Sequence, residues 1–306
     1  MVGVDGSLSS REALRWAAHI VRVTGDHIVA VHALGLDDPS RRDDLAERRW
    51  HAETAEVLEL EWCRELVRAR IPFSAVVRRG HPLDVIPAAA EQHRAGLVVV
   101  GNRGTGSAPT LGMGRTSRRM LRLCRRPVLV TPEPGVGNRH LALRRIMVAV
   151  DGSAASERAL DTATQLAAAF GSRVTLLRAL EDGNENGADG GDRPPQPRID
   201  SRLPLLARRL SDQGVAVQTL VRRGNPVDVV HEAADSLDPD LLAVGAAGPG
   251  GRNGAGMASV PLPRLGSVSR SVVRGTHRAT LVVPATGPVE PTFGLRTANW
   301  CLPAGR

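Results

Sequence analysis

Short runs of aliphatic and β-branched residues alternate along this chain with longer stretches whose apolar positions recur every three to four residues. In the first half the runs predict strands at Val2–Val4, Ile28–Ala33, Phe73–Val77, Leu97–Val100 and Pro127–Val130. Helices are expected between them, near Ser10–Val23, Asp43–Arg68, Leu83–His93 and Thr116–Cys124. The second half repeats the plan with strands at Ile146–Val150, Arg173–Leu177, Val215–Val221, Leu241–Val244 and Thr280–Val283. Strands that are apolar almost throughout belong to a parallel sheet covered by helices on both faces. The expected fold is α/β: two doubly wound five-stranded parallel-sheet domains in tandem. Such sheets bind ligands at the carboxyl ends of their strands, where the strand order reverses.

The two halves are copies of one another. Val2–Ala17 (VGVDGSLSSREALRWA) realigns with Val148–Ala163 (VAVDGSAASERALDTA) at an offset of 146. The block ending RRGHPLDV at Val85 matches RRGNPVDV at Val229, and LVVVGNRG from Leu97 matches LLAVGAAG from Leu241, both at an offset of 144. Three collinear blocks at nearly constant offset define a duplication. It divides into a first domain at 1–134, a Pro- and Gly-rich linker at 135–144, a second domain at 145–285 and a tail at 286–306. Glu181–Asp200 is polar and dense in Gly and Pro, and is expected to be a mobile loop. In the tail, Phe293, Leu295 and Trp300 offer apolar side chains that could dock on the body.

Two motifs in each copy carry chemistry. The first is Asp-Gly-Ser at the end of strand one, Asp5-Gly6-Ser7 and Asp151-Gly152-Ser153. The carboxylate there can accept hydrogen bonds from a ligand; equally, the motif can simply cap the following helix. The second is a glycine-rich loop after strand four. Gly101-Asn102-Arg103-Gly104 is followed by nine residues and Gly114; Gly245-Ala246-Ala247-Gly248 precedes Gly266-Ser267, which opens the last helix. Glycines let backbone N–H groups approach a phosphate closely, and the helix behind presents its positive end.

These residues resemble the universal stress protein family, whose domain opens V-x-V-D-G-S and whose ATP-binding members carry G-x-x-G, nine residues, G-[ST] in this loop. The R-R-G-x-P-x-D-V blocks at Arg78–Val85 and Arg222–Val229 are similar to the family's third strand and its turn. The resemblance covers nearly all of both halves and implies an adenine nucleotide alpha hydrolase-like fold. It also implies a cytoplasmic regulator of stress responses that binds ATP, with Mg as a possible companion, and that is not an enzyme. Position by position it suggests Asp5, Ala33, Gly101, Gly104, Gly114 and Arg115 as nucleotide-binding residues in the first copy. In the second it suggests Asp151, Ala179, Gly245, Gly248, Gly266 and Ser267. Each copy departs from the pattern. Arg115 replaces the family's hydroxyl residue, adding a cation that either pairs with phosphate or fills its place. Seventeen residues, three of them Pro, separate Gly248 from Gly266. The nine-residue spacing favours the first copy. The family's strand order makes Pro127–Val130 and Thr280–Val283 edge strands, so the halves are expected to pair through them as a pseudo-dimer; a homodimer is a further expectation.

Composition narrows the alternatives. The formal charge is +8, and every one of the 40 basic residues is Arg. A basic surface suits an anionic partner, but only seven residues are aromatic and none is Tyr, which argues against a single-strand nucleic-acid platform. Cys63, Cys124 and Cys301 are far apart, with neither metal nor disulfide spacing. No apolar run reaches the length of a membrane span, and no targeting segment is expected. There is no H-x-x-x-H pair, no G-x-S-x-G elbow and no phosphate loop with Lys, so the usual hydrolases and phosphotransferases lack their parts. His32 ends strand two beside the expected pocket, where a structural role is favoured over a functional one. Two other readings stay open: a slow ATPase in which Asp5 or Asp151 orients water, and a nucleotide-free scaffold.

Overall fold

In the computed structural model, residues 1–35, 44–105, 113–135, 141–181, 202–248, 265–275, 277–287 and 293 are described. The first half runs β1 (Val2–Gly3), α1 (Leu8–Thr24), β2 (Ile28–Ala33), α2 (Asp44–Val57), α3 (Arg64–Arg68), β3 (Phe73–Arg78), α4 (Pro82–Gln92), β4 (Val98–Val100), α5 (Arg115–Leu123) and β5 (Val128–Val130). The second runs β6 (Arg145–Ala149), α6 (Ala154–Phe170), β7 (Arg173–Leu180), α7 (Arg202–Asp212), β8 (Ala216–Arg223), α8 (Pro226–Leu237), β9 (Leu241–Gly245), α9 (Ser267–Gly275) and β10 (Ala279–Val283).

The strands make one continuous sheet in the order β3-β2-β1-β4-β5-β10-β9-β6-β7-β8. Neighbours within each half are parallel, while β5 and β10 meet antiparallel with Leu129 opposite Leu281. The last strands of the two halves thus pair as expected, and neither leaves a bare apolar edge. The apolar strands serve two cores at once: Val99 belongs to the core on the sheet face of α1, α3, α6 and α7, while Val98 and Val100 belong to the core on the face of α4, α5, α8 and α9. Alternate residues point to opposite faces, so a strand covered on both sides has no polar positions to show.

Local signals place the helices. Ser7 Oγ accepts from Ser10 N (3.1 Å) and Ser153 Oγ from Ser156 N (3.2 Å), capping α1 and α6. Gly25 and Gly171, in the left-handed region at φ 75° and 64°, close the same helices.

The single helix expected over Asp43–Arg68 is broken. Between α2 and α3 lies a π-turn at Leu58–Trp62, in which Cys63 N donates to Leu58 O (2.9 Å). A five-residue step from Leu58 to Cys63 overshoots an α-helical turn and would swing one of them outward; the wider turn lets Leu58, Cys63 and Leu66 all reach the core. Strands β7 and β8 run to Leu180 and Arg223, beyond their expected ends. Of the expected mobile loop, 182–200 lie outside the described residues, as do 136–140 of the linker and all of the tail from 288 on except Phe293, which is buried in the core shared by both halves. Among the described residues no helix is long and apolar enough to cross a membrane.

Candidate functional site

The order reverses at β1, which lies between β2 and β4, and again at β6, between β7 and β9. Each reversal opens a crevice at the carboxyl end of the sheet, and the Asp-Gly-Ser turn sits on its floor. In the first copy Asp5 is half-buried. Its Oδ1 accepts from Ser7 N (3.1 Å) and its Oδ2 accepts from Thr105 N (2.9 Å), which tethers the glycine-rich loop to strand one. The capping reading of the motif holds, since Ser7 caps α1, and the Asp5 carboxylate holds the turn and the loop together.

The glycines of this loop answer to different constraints. A Cβ on Gly101 would lie 2.6 Å from the backbone carbon and oxygen of Ser9, so this glycine is required by the close pass of α1. A Cβ on Gly104 would lie 2.5 Å from Asp5 Oδ2, so a side chain there would displace the carboxylate rather than the backbone. Gly114 N donates to Asn102 O (2.9 Å) at the entry to α5, and buried Ser117 Oγ donates to Gly101 O (2.7 Å). Arg103 pairs with Glu133 (2.9 Å), and Asn102 Nδ2 reaches the same carboxylate (3.5 Å). Arg115 stands exposed in the first turn of α5.

Ala33 ends β2 on the opposite wall, half-buried. Beside it, His32 Nδ1 donates to Val4 O (2.7 Å) and its ring meets the edge of Trp62, centroids 5.0 Å apart. The indole covers Gly6, where a Cβ would come within 2.8 Å of the ring. His32 is a structural clamp on strand one, in keeping with the role favoured from its position.

The second copy brings together the matching residues. Asp151 Oδ1 accepts from Ser153 N (2.9 Å), and a Cβ on Gly248 would sit 2.9 Å from Asp151 Oδ2. Gly245 passes α6 as Gly101 passes α1, its Cβ falling 2.7 Å from Ser156 N. Gly266 N donates to Ala246 O (2.8 Å), and its Cβ position has only ordinary contacts at 3.5 Å and beyond. Ser267 opens α9, and Ser269 Oγ donates to Gly245 O. Ala179 lies on β7, half-buried like Ala33. Cations replace the aromatic clamp: Arg178 Nη1 donates to Val150 O (3.2 Å), and Arg202 Nη1 lies 3.8 Å from the Cβ position of Gly152. A cavity of about 260 Å³ opens there, lined by Val150, Gly152, Ser156, Glu157, Arg202 and Leu203 among others.

Sequence reasoning missed Ser117 and Ser269, which brace the loops from the following helix, together with Thr105 and Trp62. The matched GRTS and GSVS segments carry a signal for the two serines; Thr105 and Trp62 act through contacts far along the chain. Cys63 and Cys124 lie away from the site, where burial pushes their thiols up to about 12 and about 11.

A crevice of this form, built twice at the points where the strand order reverses, belongs to a tandem doubly wound α/β protein. The model of the universal stress protein family matches residues 1–132 and again 142–284. A universal stress protein of Mycobacterium tuberculosis is 27% identical over 282 residues, covering 85% of this chain and 90% of its own. One of Mycolicibacterium smegmatis is 29% identical over 307 residues, covering 92% and 96%. Among solved structures, a universal stress protein from Archaeoglobus fulgidus shares the fold at a TM-score of 0.69 and 21% identity, covering 93% of this chain and 98% of that one. The chain belongs to the universal stress protein family.

Proposed function

We propose that the protein is a regulator of stress responses that binds an adenine nucleotide, ATP foremost, rather than an enzyme that turns one over. The observation that supports this reading most directly is the convergence, in both copies, of a strand-one carboxylate, a glycine-rich loop and a helix N-terminus at the point where the strand order reverses. In this reading the Asp carboxylate and the backbone after β2 or β7, at Ala33 or Ala179, meet the base and ribose. The N–H groups of the loop and of the entry to α5 or α9 meet the phosphates, each charge-assisted bond contributing about 1.5 to 3 kcal/mol. Magnesium accompanying ATP is expected to be held mainly by phosphate oxygens and water, because among the described residues no three His, Cys, Asp or Glu side chains gather as a metal cage. An aspartate held by backbone donors suits rigid recognition better than proton transfer.

Denaturing extraction of the purified protein, with mass spectrometry of the extract, is expected to release an adenine nucleotide. The stripped protein should then rebind ATP in calorimetric titration. An empty extract together with no heat of binding at millimolar ATP sinks the reading and leaves a nucleotide-free scaffold.

A further inference from the structure

The sheet face that carries α1 and α3 holds a cavity of about 210 Å³ between those two helices. Its wall on the α1 side follows from spacing along the chain. Arg11, Arg15 and Arg22 stand four and seven residues apart, which at 3.6 residues per turn sets them within about 40° of one another around the helix. Leu14 and Ala18 lie buried beneath this stripe. Arg64 faces it from the start of α3, and buried Leu66 extends the floor. The π-turn that ends at Trp62 brings the indole to the same space, so that one ring both covers Gly6 and lines the cavity.

Four guanidinium groups around one cavity call for a counter-charge. Exposed arginines on a helix are ordinarily left to solvent, but like charges one turn apart oppose the helix, and a cation near its start opposes the helix dipole. The first turn of α1 has no acidic residue to offset Arg11. Arg15 pairs with Glu12 (3.0 Å), whereas among the described residues no carboxylate forms an ion pair with Arg11, Arg22 or Arg64. Glu61 and Glu65 also line the cavity, which leaves four Arg against two Glu, a formal excess of two positive charges. The second half shows that the fold does not require this. Glu157 and Asp161 stand on α6 at an offset of 146 from Arg11 and Arg15, and Arg209 of α7 closes on Asp161 (2.8 Å).

From this arrangement we infer that the cavity between α1 and α3 is a binding site for a small organic phosphate, a dianion whose apolar body rests on the floor while guanidinium groups hold its oxygens. The charge excess matches a dianion. Planar guanidinium forks donate paired N–H bonds to phosphate oxygens, a geometry that an ammonium group does not offer. The volume lies below the roughly 300 to 1,000 Å³ of pockets that take drug-sized ligands, so it suits a compact metabolite and not a peptide. Leu14, Ala18, Leu66 and the Trp62 ring supply apolar surface for the part of the ligand that carries no charge. The site is distinct from the crevices at Asp5 and Asp151 and stands whether or not they bind a nucleotide.

Phenyl phosphate combines the two features and serves as the probe. Titrated calorimetrically into the full chain, it is expected to bind at millimolar concentration or below, and Arg11→Gln and Arg64→Gln should each weaken it at least tenfold. Arg119→Gln, which removes an exposed charge on α5 instead, should leave the affinity within about twofold, since distant surface charges are screened. Phenol, which lacks the charge, should give no heat of binding. All three substituted positions are exposed, and thermal melts check that the variants are folded. The inference is overturned by a wild-type chain that does not bind phenyl phosphate, by phenol binding equally well, or by undiminished affinity in Arg11→Gln and Arg64→Gln. An equal loss in Arg119→Gln overturns it too, because the attraction would then be to net charge alone.

Discussion

A glycine in a phosphate-type loop invites the assumption that the ligand requires it, and the two copies show that the assumption holds unevenly. Gly101 and Gly245 are fixed by the backbone of Ser9 and of the Ala155–Ser156 step, atoms that cannot move without shifting α1 or α6. Gly101→Ala and Gly245→Ala are therefore expected to lower stability by about 1 to 3 kcal/mol each, as overpacking of a close contact does. Gly266→Ala, with nothing nearer than 3.5 Å, should change it by no more than about 0.5 kcal/mol. Urea unfolding of the three variants, without nucleotide, decides the matter; equal losses at all three positions would mean that the loops are not held by the helices. The glycine pattern was legible in sequence, and so was the pairing of each loop with an Asp-Gly-Ser turn. What each glycine touches was not, because Ser9 and Gly101 are neighbours only after the sheet has formed. The bond from Thr105 to Asp5 was hidden for the same reason.

At the scale of elements, β-branched and apolar runs placed the ten strands among the described residues, most plainly the inner ones, because a doubly covered strand advertises itself locally. The helix over Asp43–Arg68 was misjudged as unbroken because a single π-turn shifts the phase of an apolar stripe without interrupting it. Contacts between elements of different halves were beyond local pattern altogether. His19 on α1 meets Phe170 at the end of α6, ring centroids 5.0 Å apart, so an ionisable ring sits where the two halves touch. Burial lowers its pKa from 6.5, and the positive charge of Arg22 pushes the same way. A base whose folded pKa is depressed is protonated first in the unfolded chain, so no stability is lost above about pH 6.5 and progressively more is lost as pH falls below it. His19→Gln should therefore flatten the decline in stability between pH 6.5 and 5 relative to wild type. Parallel curves for the two proteins across that range would show that the ring does not feel the interface.

The molecule as a whole is closer to one body than its duplicated sequence suggests. The β5–β10 junction runs the sheet through both halves, and the core on the α1 and α6 face takes in Leu129 from one half, Leu281 from the other and Phe293 from beyond the last strand. When two repeats share a core, the unfolding of one exposes apolar surface on its partner, and the free energies no longer separate. Denaturant unfolding is accordingly expected to follow one cooperative transition with coincident fluorescence and circular dichroism, despite a chain long enough for two independent domains. Phe293→Ala tests the same coupling from the tail. Truncating a buried aromatic costs about 3 to 5 kcal/mol, and here the loss should lower the midpoint of that single transition without splitting it. Two resolved steps in the wild type, or a Phe293→Ala midpoint that does not move, would instead describe two domains that merely lie edge to edge.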